Sequence, residues 1–145
     1  MRSAGQAVAV AVPFGWLGMV LAISFLEAPL KFRAPGITLP LGLGIGRLIF
    51  RALNLVEIGL AVLLTIACLA ARPSGPAWEL LAAAWLLLAV QVLLLRPPLD
   101  RRAAAIVAGR TPPRSRLHLA YIALEAAKIP LLVALGATQI AAAMS

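Results

Sequence analysis

A chain of 145 residues that is 63% hydrophobic and 12% charged, with a mean hydropathy of +1.01, is far more apolar than a soluble domain, where about 45–50% is usual. Thirteen Lys and Arg against five Asp and Glu give a formal net charge of +8, but no aromatic-basic interleaving accompanies it, so anionic lipid headgroups rather than nucleic acid are the expected partners. The single cysteine, Cys68, excludes an internal disulfide and a thiolate metal cluster, and reads as a small buried hydrophobe.

The richness in Ala, Leu, Val and Gly suits helices packed closely in lipid rather than a membrane barrel. Each crossing needs about 20 mostly apolar residues. Cut at its Pro, Gly and Arg clusters, the chain divides into four such runs, roughly 6–30, 45–71, 77–95 and 115–142. The expected fold class is therefore all-α: a polytopic integral membrane protein, four transmembrane helices in a bundle, as a single domain over 1–145.

The first run is too long for a signal-peptide core, and "EAPLKFRAP" follows it instead of a small-residue cleavage site. At its end Glu27 and Lys31 are four apart and share a face, with Ser24 one turn deeper. The connection "RAPGITLPLGLG" is rich in Pro and Gly yet apolar, and predicts a loop or re-entrant turn buried against the bundle as a lid. Helix two carries "GRLIFRALNLVE", in which Arg47, Arg51, Asn54 and Glu57 fall within an arc of roughly 120°. Helix three offers only Gln91 and Arg96 near one end and reads as an outer wall, with Trp78 and Trp85 as interfacial and packing residues. The last connection, "RPPLDRRAAAIVAGRTPPR", is polar at both ends, with a short amphipathic middle suited to the membrane surface. Ser115 is the expected N-cap of helix four, and Pro130 predicts a local kink.

Helix four holds the densest polar stripe. At 100° per residue, Arg114, His118, Tyr121, Glu125 and Lys128 lie within roughly 80°. At 1.5 Å per residue Lys128 lies roughly 20 Å into a core about 30 Å thick, too deep to be an interfacial anchor. Glu57, Glu125 and Lys128 left unpaired would cost on the order of 8–10 kcal/mol. They are therefore expected to face one another, with Lys128 neutralising one carboxylate. The second must be protonated, paired with Arg51 or His118, or matched by a bound cation. The stripes on helices two and four then form two walls of one polar pocket.

Orientation follows from the basic residues. Lys31, Arg33, Arg47, Arg96, Arg101, Arg102, Arg110, Arg114 and Arg116 flank the first and third connections, against Arg2 and Arg72 on the opposite side. Nine against two places those connections in the cytoplasm and both termini outside it, in a bacterial-type inner membrane. With one His and one Cys, no nitrogen or sulfur metal site can be completed. No nucleophile elbow and no phosphate loop is present: "GLGIG" follows no strand and lacks the Lys and hydroxyl of a P-loop.

Two resemblances attach to these residues. In chain order, "WLGM", "PLKFRAP", "GRLIF", "LRPPLDRRAAA" and "RLH" look like the pattern of the small four-helix membrane family that contains eukaryotic transmembrane protein 205 and bacterial relatives with a domain of unknown function. That resemblance spans all four helices. It implies the four-helix architecture and an association with resistance to toxic metal compounds, and carries over no catalytic residue. On helix two, Arg47, Asn54 and Glu57 match the spacing of the membrane-associated proteins of eicosanoid and glutathione metabolism, and "KFR" ends helix one as in that family. This second resemblance implies a trimer binding glutathione between subunits. The chain departs from it at Gly46, where the family has Glu, and lacks the Arg and Tyr pair on helix three that would handle the thiol.

The leading expectation is a non-enzymatic protein that binds or transports a small anionic or amphipathic solute from the cytoplasmic side. The site residues expected are Glu27, Lys31, Arg47, Arg51, Asn54, Glu57, His118, Tyr121, Glu125 and Lys128. No cofactor is expected from the residues themselves; glutathione enters only through the resemblance, and His118 is the side chain that would ligate haem or relay protons. The competing expectations are a membrane-embedded enzyme on a lipid-soluble substrate, with Glu125 or His118 as acid or base and Tyr121 as hydrogen-bond donor, and an accessory subunit of a larger membrane complex. Four helices are few to enclose a pathway, which favours a homo-oligomer or a partner membrane subunit.

Overall fold

In the computed structural model, which describes residues 2–144, the chain is all-helical, with no strand among the described residues. Four helices are long and apolar enough to cross a membrane: α1 (Ala4–Arg33), α2 (Leu39–Ala71), α3 (Ala77–Val107) and α4 (Leu117–Met144). α1 packs on α2 and α4, and α3 packs on the same two. The pairs α1/α3 and α2/α4 therefore lie diagonally in an up-and-down bundle. The arginine-rich ends of all four converge on one cleft.

The helices run further than the sequence reading placed them. α2 begins at Leu39, so the expected lid is its first turns and the connection shrinks to 34–38. Pro40 sits in the first turn, where a missing N–H costs nothing, and Thr38 Oγ1 accepts the Leu41 amide at 3.3 Å. The break before it is set by Pro35 and by Gly36, which takes a positive φ of 82°. Gly42 is then required for packing: the Phe32 ring lies where a Cβ would be. Thr38→Ala should cost about 1 kcal/mol and raise hydrogen exchange at Leu41 about fivefold, with α2 otherwise intact.

α3 likewise continues through Pro97 and Pro98 to Val107 rather than giving way to a separate surface helix. A proline ring inside an α-helix collides with the carbonyl four residues back. Here a π-helical stretch, Val90–Leu95, precedes the prolines, and the Arg96 amide reaches back five residues to Gln91 O. α1 uses the same device: a π-helical stretch over Leu21–Glu27 precedes Pro29, and the Ala28 amide reaches Ile23 O. The wider turn makes room for the ring and inserts one residue into the helical phase.

The end away from the cleft is an apolar core of two joined clusters. Ala9, Val12, Leu64, Ala67, Cys68, Leu81 and Leu135 form one; Trp16, Val20, Ala61, Ala84, Leu88 and Leu132 form the other, nearer the cleft. Cys68 is fully buried there and its sulfur accepts the Gln139 amide at 3.3 Å. Trp85 is half-buried and its indole donates to Thr65 Oγ1 at 3.1 Å, while Trp78 is exposed. α4 starts at Leu117, whose amide Ser115 Oγ accepts at 3.2 Å, and it runs unbroken through Pro130.

Candidate functional site

A polar network crosses the bundle axis immediately below the cleft. Glu57, Gln91, Glu125 and Lys128 are each at most 2% exposed. Lys128 Nζ donates to Glu57 Oε1 at 2.5 Å and to Glu125 Oε1 at 2.9 Å. Glu57 also accepts the Trp16 indole at 2.9 Å and the Asn54 amide at 3.1 Å. Glu125 accepts the Gln91 amide at 2.7 Å and the Ser24 hydroxyl at 2.8 Å. Each carboxylate thus receives three donors, which is how a buried carboxylate is stabilised without water. Asn54 also reaches the Tyr121 hydroxyl at 3.1 Å. All four helices contribute, and the Glu57–Lys128 and Asn54–Tyr121 bonds span the α2/α4 diagonal.

Above the network lies a cleft of about 440 Å³, within the range of about 300–1,000 Å³ typical of small-molecule sites. Its walls are largely apolar, with Phe25, Phe32, Phe50, Leu99 and Ile122 among them, and its floor is Ser24, Tyr121 and Glu125. Cations are arranged on the aromatic rings. Phe50 lies between Lys31 Nζ and the Arg96 guanidinium, each 5.8 Å from its centroid, and meets Tyr121 edge-on at 5.7 Å. Arg96 also lies 5.8 Å from the Tyr121 ring. Two of the three cations have carboxylate partners: Arg96 pairs with Asp100 at 2.9 Å and Lys31 with Glu27 at 3.5 Å. Arg47 differs. It lines the cleft, and its Nε is buried with no hydrogen-bond partner among the described residues.

Most of the residues expected from the sequence meet here, on two levels. Asn54, Glu57, Tyr121, Glu125 and Lys128 are bonded to one another below. Lys31, Arg47 and His118 line the cleft, His118 as an exposed side chain, and Glu27 acts through Lys31. Arg51 does not join them: it is exposed and outside the lining. Six residues separate it from Glu57, which at 100° each puts it roughly 120° around the helix. It is thus no partner for the second carboxylate, whose donors are Gln91, Ser24 and Lys128. Helix three is not an outer wall: Gln91 is fully buried against Glu125, and Arg96, Leu99 and Asp100 line the cleft. Trp16 was not among the expected residues at all.

The arrangement offers a charged group an apolar enclosure with guanidinium N–H groups of Arg47 and Arg96 that lack a hydrogen-bond partner among the described residues, and a carboxylate floor. No group of three or more His, Cys, Asp and Glu able to hold a metal ion occurs among the described residues. No protein-family model, curated protein or solved structure matches the chain.

Proposed function

We infer that this chain is a multi-pass membrane protein, of the bacterial inner-membrane type, whose cleft binds a small amphipathic anion from the cytoplasmic side for transport. The carrying observation is Arg47: a buried guanidinium N–H without a partner, in the lining of a cleft with otherwise aromatic and aliphatic walls. A buried donor left unmade costs about 1–3 kcal/mol, and more when charged. An anionic head on Arg47 recovers that cost while an apolar body fills the space beside Phe32, Phe50 and Ile122. The nine basic residues at this end support a cytoplasmic opening with both termini outside.

The four-helix architecture agrees with the resemblance to the transmembrane protein 205 family. The glutathione-family spacing of Arg47, Asn54 and Glu57 supports solute binding over thiol activation here. Asn54 and Glu57 are taken up by Tyr121, Trp16 and Lys128, which leaves Arg47 alone to face a ligand.

Octanesulfonate is a suitable probe, since its head stays ionised at all working pH values. Calorimetric titration of the protein in lipid nanodiscs should show saturable binding, weakened about ten- to hundredfold by Arg47→Gln with the fold unchanged. Binding equal in the variant and the parent would refute the reading.

A further inference from the structure

The buried trio carries two carboxylates and one ammonium, and the carboxylates are not equivalent. Glu57 Oε1 is held by Trp16 Nε1 and Lys128 Nζ, which donate and cannot accept, and its Oε2 by the Asn54 amide, whose own oxygen already accepts the Tyr121 hydroxyl. Neither Glu57 nor its partners Trp16, Asn54 and Lys128 line the cleft. Glu125 does line it, together with Ser24. Its Oε2 meets the Ser24 hydroxyl, which turns from donor to acceptor by rotation about one bond. Its Oε1 meets Lys128 Nζ and the Gln91 amide, whose own Oε1 is buried with no partner among the described residues. A half-turn of that amide presents the oxygen to a protonated Glu125. A proton entering from the cleft therefore finds ready acceptors around Glu125.

We propose that Glu125 is the exchangeable proton carrier of this site, with Ser24 and Gln91 reversing their hydrogen bonds as it takes up a proton, and that the bound anion enters together with one proton. The proposal rests on the reading of the cleft as an anion site and names its substrate class: a monoanion with an alkyl or aryl body. The groups facing Glu125 set the sign. They are Lys128, Tyr121 and His118 from α4, Glu57 and Arg47 from α2, Arg96 with Asp100 from α3, and Lys31 with Glu27 from α1. An ionised Glu125 at the floor repels an anion held by Arg47. Neutral Glu125 removes that repulsion and leaves Lys128 matched one-to-one with Glu57. Proton and anion each favour the other's binding, and by linkage the two effects are equal. The proton comes from water in the cleft, adds to a Glu125 carboxylate oxygen, and leaves with the anion; no covalent bond to the anion forms.

The same nanodisc titration with octanesulfonate tests this when repeated from about pH 8 to about pH 5. Affinity should rise by about tenfold per pH unit through the titration, with about one proton taken up per anion, read from the dependence of the heat on buffer ionisation enthalpy. In a His118→Gln background, which removes the imidazole's own proton uptake, the linkage should persist, and adding Glu125→Gln should leave a pH-independent affinity with no proton uptake. Infrared difference spectra of the unsubstituted protein supply the answer even where that variant fails to fold: adding octanesulfonate should bring up a neutral carboxyl C=O stretch. Binding that is independent of pH, or without proton uptake, overturns the proton linkage and leaves the anion site standing. No binding at any pH overturns the anion site itself.

Discussion

Lys128→Met is expected to destabilise the bundle by about 3–5 kcal/mol, because it leaves Glu57 and Glu125 buried without the ammonium they share. Equilibrium unfolding of the purified protein in lipid bicelles measures it directly. Adding Glu57→Gln to the same chain should recover more than half of the loss: one carboxylate is gone, and Glu125 keeps Gln91 and Ser24 as donors. Recovery separates loss of charge balance from loss of packing, since Met fills the Lys stem equally in both variants. A single variant as stable as the parent would show that both carboxylates are held neutral.

The second large effect belongs to Trp16, 1% exposed at the junction of the apolar core and the polar network. Trp16→Ala should cost about 3–5 kcal/mol through the cavity it opens. Trp16→Phe retains most of the ring and removes the indole donor to Glu57, for about 1.5–3 kcal/mol, the range of a hydrogen bond to a charged group. Unfolding curves of the two variants therefore apportion the residue between packing and hydrogen bonding. A Phe variant matching the parent would mean that Lys128 and Asn54 alone satisfy Glu57.

Four apolar runs and the polar stripe on α4 were legible because composition and 3.6-residue spacing are local properties of a chain. Tyr121, Glu125 and Lys128 succeed one another at four and three residues, and all three are buried as that spacing demands. Asn54 and Glu57 were legible for the same reason. Trp16 was not, since it lies about two turns beyond Ser24, the deepest polar residue read on its helix, and its single N–H is carried by a side chain that reads as core. Gln91 was seen but placed in a wall because helix three offered so few polar residues, and Asp100 in a surface connection because the run was ended before Pro97 and Pro98. The π-helical stretch Val90–Leu95 adds a residue to the phase just there, turning Arg96, Leu99 and Asp100 by about 100° around the axis. Such a stretch precedes Pro29 and the pair Pro97 and Pro98, whereas Pro13 and Pro130 are carried by continuous α-helix, so a proline inside a run does not by itself announce one. The same habit of ending helices at Pro and Gly hid the first turns of α2, where Pro40 is tolerated and Gly42 and Gly46 accept close contact from Phe32 and Lys31.

The diagonal placement of Glu57 and Lys128 also makes the two halves of the molecule unequal partners in biogenesis. The hairpin of α3 and α4 contains Gln91, Glu125 and Lys128, a charge pair closed on itself. That half carries its own ammonium for Glu125. The hairpin of α1 and α2 contains Glu57 with only Trp16 and Asn54 beside it, so it waits with a buried acid that no cation within its own half can match. Synthesised first, it remains the unfinished half until Lys128 arrives, and joining the hairpins is the step that closes the pair with Glu57.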